Sequence, residues 1–83
     1  MRDSDIVWCL SHFKSLSEGG TWAVPRSGLI FSKKGQKLVL TALMPYDPAM
    51  PVSAEQLKQV QDEDYEAIKE HFNAAGIEVK RES

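Results

Sequence analysis

The hydrophobic pattern changes its period twice along the chain, and this alternation constrains the fold more than any single residue does. Between positions 5 and 16, Ile6, Cys9, Leu10, Phe13 and Leu16 recur every three to four residues, the spacing that gathers side chains on one stripe of an α-helix. Val7 and Trp8 fall off that stripe, with Trp8 about 140° from its centre at 100° per residue. Asp3 or Ser4 is placed to cap the helix, and Gly19 and Gly20 supply the backbone freedom that ends it.

From Thr21 the pattern shortens to two residues. Thr21–Val24, Leu29–Lys33 and Lys37–Met44 are rich in β-branched, aromatic and aliphatic side chains, which favour strands. Lys33-Lys34-Gly35-Gln36 reads as a hairpin turn, with Gly35 free to take a positive φ. Pro25 and Gly28 separate the first two segments, or form a bulge in one long bent strand from Trp22 to Lys33. In the third segment Leu38, Leu40, Ala42 and Met44 alternate with Val39, Thr41 and Leu43. Apolar groups on both faces predict a central strand covered at least partly on both sides.

The longer period returns after a proline-containing loop over 45–52. Ser53-Ala-Glu-Gln56 has the spacing of a capping box, and Leu57, Val60, Ile68, Phe72 and Ala75 continue as a helical stripe. Asp64 falls inside that stripe, so a break near Gln61–Asp64 is expected, with Asp62 capping a second helix. Gly76 stops this helical region of about 54–75, and 77–80 alternates like an edge strand. The order is α-β-β(-β)-α-β. It predicts one small α+β domain of two layers, with the helices on one face of a three- to four-stranded, mostly antiparallel sheet.

Composition narrows the function classes. The 83 residues are 42% hydrophobic and 27% charged, a globular balance, and no apolar run approaches the ~20 residues of a membrane span. A single cysteine excludes an internal disulfide. The first residues have neither the basic start nor the apolar stretch of a secretory signal, so a cytoplasmic location is expected. Net charge is −2, without the strongly basic footprint usual for nucleic-acid binding. The charge is nonetheless uneven: residues 1–44 hold six basic and three acidic side chains, and residues 45–83 hold four and nine. The simplest consequence is attraction between the two halves across one core.

The motifs that could carry chemistry are incomplete. Cys9 and His12 are one helical turn apart, but a thiolate–imidazole pair also needs a third group to orient its base. With His71 they make three zinc ligands, short of the paired spacings of a structural site. Asp62, Glu63, Asp64 and Glu66 lack the glycine and final glutamate of a calcium loop and read as the acidic first turn of a helix. Pro45, Pro48 and Pro51 share the three-residue repeat of a polyproline helix but better suit a stiff connecting loop. No catalytic residue, cofactor or metal is assigned. A chain of this size also leaves little room for the ~300–1,000 Å³ cleft of a small-molecule site.

Two surfaces remain. Arg26, Lys33, Lys34 and Lys37 gather near strand ends with Trp22 and Phe31 nearby, the pairing of cations and rings that single-strand nucleic-acid binders use. Lysines at a turn also keep hairpin edges from pairing. Trp8, with His12 one turn on, is surplus to the helix's own anchoring, and tryptophan is enriched where interfaces carry energy. The expectation is a non-catalytic protein-interaction module, most simply a homodimer contacting through Trp8 and His12, with nucleic-acid binding by the hairpin as the alternative. Imidazoliums meeting across the dimer axis would weaken that contact in acid.

Overall fold

The computed structural model describes residues 3–25 and 27–82. Its elements are α1 (Asp3–Ser15), β1 (Thr21–Ala23), β2 (Leu29–Lys34), β3 (Lys37–Leu43), α2 (Ala54–Ala74) and β4 (Glu78–Arg81). The four strands form one mixed sheet in the order β1-β2-β3-β4. β1–β2 and β2–β3 are antiparallel, and β3–β4 is parallel. This is the α+β arrangement read from the sequence. No helix among the described residues is long and apolar enough to cross a membrane.

Both helices pack on one face of the sheet. Cys9 and Phe13 of α1 and Tyr65, Ile68 and Phe72 of α2 share a single core with Trp22, Phe31, Leu38, Leu40 and Val79 from all four strands. Phe13 meets Phe72 edge-on at 5.5 Å between ring centroids. The other face carries no helix. Val39 is buried there, shielded by its neighbours in the ladder, Ser32 and Lys80.

Helix ends follow their local chemistry, with one exception. The capping box is present: Gln56 N–H donates to Ser53 Oγ at 3.1 Å, and Ser53 N–H donates to Gln56 Oε1 at 2.8 Å. At the far end Gly76 takes φ +81°, and its N–H and that of Ile77 donate back to Asn73 and Phe72 carbonyls, closing the helix in a Schellman motif. The exception is α1, which begins at Asp3. Asp3 and Ser4 therefore lie within the first turn rather than before it.

Two expectations are corrected, the break in α2 and the unbroken alternation of β3. α2 is continuous, with no break at Gln61–Asp64. The apolar stripe accommodates Gln61 because its amide donates to the carbonyls of Ser27 at 3.0 Å and Met44 at 3.2 Å, so a polar side chain satisfies loop backbone that burial would otherwise strand. Asp62 and Glu63 consequently sit in mid-helix, where Asp62 pairs with Arg81 and Glu63 accepts from Gln59. Of the two readings of Trp22 to Lys33, the structure has the first: two strands joined by a tight loop, closed by Val24 N–H to Leu29 O and Gly28 N–H to Val24 O, each 2.8 Å. Finally, the register shifts between Ile30 and Phe31: Phe31 pairs with Leu40, Ile30 with Ala42. Thr41 is the extra residue of this β-bulge, and its hydroxyl donates to Ile30 O at 3.2 Å. The bulge reverses the alternation beyond it, so Leu43 turns to the core and Ala42 to the open face.

The proline segment is not a polyproline helix. Met50 N–H donates to Asp47 O and Ala49 N–H to Asp47 Oδ1, both at 2.9 Å, which makes a turn with Pro48 at its second position.

Two glycines with positive φ should respond differently to substitution. A Cβ on Gly28 (φ +71°) would stand 2.4 Å from Met44 Cβ, whereas one on Gly35 (φ +64°) meets nothing within 4 Å. Gly35→Ala should cost only the left-handed conformation, about 1–2 kcal/mol. Gly28→Ala adds overpacking and should cost about 2–5 kcal/mol. Urea unfolding of the two variants checks this; equal losses would contradict the close approach at Gly28.

Candidate protein interface

α1 is amphipathic in an unusual way. Ile6, Cys9 and Phe13 are buried on one side, while Val7 is 62% and Trp8 47% exposed on the other. The rest of the outward face is Ser4, Ser11 and Ser15, all exposed, with Asp5 near one end and Lys14 near the other. Trp8 stands on the surface yet is not loose. Its ring stacks on His12 at 5.0 Å and 14°, the contact that residues four apart on a helix make. His12 is half-buried and meets Trp22 edge-on at 5.4 Å. Trp22 is buried and packs on Phe31 at 5.6 Å. A column of rings thus runs from β2 through β1 to solvent.

The basic hairpin is arranged differently from a stacking site. Trp22 is only 7% exposed, so its face is occupied by Phe31, Phe13 and His12. Lys33 turns back to α1, donating to the carbonyls of Phe13 at 3.2 Å and Leu16 at 3.0 Å, with its ammonium 4.8 Å from the Phe13 ring centroid. It caps the C-terminus of α1, where the helix dipole favours a cation. Lys34 pairs with Glu82 and Lys37 with Glu78, both at 3.6 Å and exposed. These pairs join the basic and acidic halves of the chain. Arg26 lies outside the described residues.

Nor does the structure assemble the sulfur and imidazole groups. Cys9 is buried, His12 is held between two indoles, and His71 is exposed on α2 with Nδ1 3.1 Å from Ala67 O. Among the described residues no three His, Cys, Asp or Glu side chains form a metal-ligand group. Burial, helped by the negative charges of Asp5 and Asp64 and opposed by the nearby Trp22 indole, pushes the Cys9 thiol up from 9.0 to about 11. One cavity of about 300 Å³ opens beside the proline turn, lined by Met50, Pro51, Val52, Leu57 and Val60. It is at the lower limit of small-molecule sites and has no charged group to orient a ligand.

Val7 is the residue of this surface that periodicity passed over. Its displacement from the stripe was visible, but only its position beside an exposed Trp8 makes a patch of it. Lys33 had no local signal at all, because its partners are 17 and 20 residues away.

Comparison with known proteins finds no matching family model, no matching curated protein and no matching solved structure.

The thiol yields a test of the packing around α1. The folded thiol holds its proton to higher pH than the unfolded one, so its contribution is full below pH 9.0 and is lost as pH rises towards about 11. The loss should be about 2–3 kcal/mol. Urea unfolding of wild type and Cys9→Ala at pH 8 and pH 11 should show the alkaline loss smaller by that amount in the variant. An identical pH dependence would mean that Cys9 is not buried as described.

Proposed function

We propose that the protein is a non-catalytic interaction module that associates with a second copy of itself through the outward face of α1. What supports this reading is the Val7–Trp8 patch: two adjacent large apolar side chains at 62% and 47% exposure on a helix whose own packing is already complete. Interface cores are depleted in charge and enriched in tryptophan, and the outward face between Asp5 and Lys14 consists of Val7, Trp8, Ser11 and His12, with Ser4 and Ser15 just beyond. Trp8 is also pre-ordered by its stack on His12, which lowers the entropic cost of using it as an anchor.

A second copy fits the charges of this face. Asp5 and His12 flank Trp8 on the same side of the helix, three residues before and four after it. Antiparallel pairing about Trp8 would set the carboxylate of one copy near the imidazole of the other. Like-charged imidazoliums then need not meet.

Trp8→Ala should convert a dimer to monomer at high micromolar concentration, with dimerisation weakened roughly 30-fold or more. Folding stability of the monomer should change by less than about 1 kcal/mol, because the ring is half exposed. Sedimentation equilibrium with circular dichroism reads both. A wild type that remains monomeric, with Trp8→Ala unfolding it, would assign Trp8 to intramolecular packing instead.

A further inference from the structure

The two edges of the sheet are guarded unequally. β4 ends the sheet with Glu78, Lys80 and Arg81 exposed, the charged trim that discourages edge-to-edge pairing. β1 ends it with Thr21-Trp22-Ala23 between Gly20 and Val24, a run without one charge. Lys33 N–H donates to Gly20 O, and Val24 N–H donates to Leu29 O. In an antiparallel ladder this direction alternates, so Trp22 also turns its backbone to β2, and Thr21 and Ala23 turn theirs outward to the free edge.

The exposed face of α1 borders that same edge. Along α1, His12 touches Trp22 of β1, and Phe13 touches Trp22 and also Phe72 of α2. α2 therefore lies on one side of α1 and the rim of β1 on the other. Trp8 stacks on His12, which itself touches Trp22, so the exposed indole lies on the flank of α1 that borders β1. An unpaired strand edge and an uncovered indole occupy one side of the molecule.

We infer that two copies join along β1, making a continuous eight-stranded sheet with the two α1 helices antiparallel across the two-fold axis. This rests on the self-association proposed above and specifies where it occurs. The occupant is a second copy because the segment is self-complementary. Antiparallel pairing centred on Trp22 sets Thr21 opposite Ala23 of the partner subunit, keeps both Trp22 side chains on the helix-covered face, and brings no like charges together. The geometry of the helices agrees. With strands about 4.8 Å apart and α1 over β1 and β2, two α1 axes related by an axis beside β1 stand roughly 10 Å apart, within the range of packed helices. Ser4, Ser11 and Ser15 leave room there for the two indoles. Gly20 and Pro25 keep the strand pairing short, so the ribbon sets the alignment and Trp8 supplies the apolar contact.

Amide hydrogen exchange of the wild-type protein, followed residue by residue at high and low concentration, tests this. The N–H groups of Thr21 and Ala23 should exchange at least roughly tenfold more slowly in the dimer than in the monomer. Ala23→Pro removes one outward donor without breaking a bond to β2, so it should weaken dimerisation roughly tenfold or more while leaving the circular dichroism spectrum native. A dimer that depends on Trp8 but leaves Thr21 and Ala23 exchanging as in the monomer would overturn the edge pairing and keep the α1 contact. A monomer at every concentration would overturn both. If Ala23→Pro fails to fold, the exchange of the wild type decides.

Discussion

Trp22 is the side chain on which the arrangement depends. β1 is three residues long, too short for its ladder bonds to hold it against fraying, and the Trp22 ring keeps it in the sheet by filling the space between Phe31, Phe13 and His12. The same ring seats α1. His12 and Phe13 straddle it, which fixes the rotation of the helix and sends Trp8 outward. Removing the indole would therefore release the edge strand and the helix together, not merely open a cavity.

Two polar contacts reinforce that seat at the same C-terminal end of α1. Lys33 reaches from β2 to the last carbonyls of the helix, and Glu18, in the connection that follows, accepts the Gly35 N–H with both oxygens at 2.7 and 2.8 Å. Each crosses between segments distant in sequence and satisfies backbone groups that a short helix or turn leaves open. The hairpin's basic residues are thus largely engaged in holding the fold: Lys33 by the helix cap, Lys34 and Lys37 by β4 acids. A cationic cluster in the sequence becomes internal wiring in the structure.

What the sequence disclosed, it disclosed through local rules. The element order, the Ser53–Gln56 box, the Gly35 turn and the Gly76 stop each depend on residues within a few positions of one another. Apart from the cap of α1, the misreadings involve distant partners. Asp64 argued for a break in α2 because a polar residue on an apolar stripe has no visible reason; where that break was expected, the helix continues and Gln61 reaches the carbonyls of Ser27 and Met44, 34 and 17 residues away. The Thr41 bulge is set by pairing with β2, so alternation along β3 alone could not place Leu43. Trp8 was legible because an indole off the stripe of a short helix is a local fact; Trp22 was not, since alternation cannot say which face of a strand a helix will cover.

The central claim is that a second copy covers Trp8. Of the two indoles, Trp22 is buried in a single copy and Trp8 is half exposed, so a change of environment with concentration reports on Trp8. Tryptophan emission recorded over a dilution series should begin blue-shifted, with both rings shielded, and move to the red as Trp8 returns to water. A spectrum that is the same at every concentration, with the red component of a half-exposed indole always present, would contradict self-association through α1.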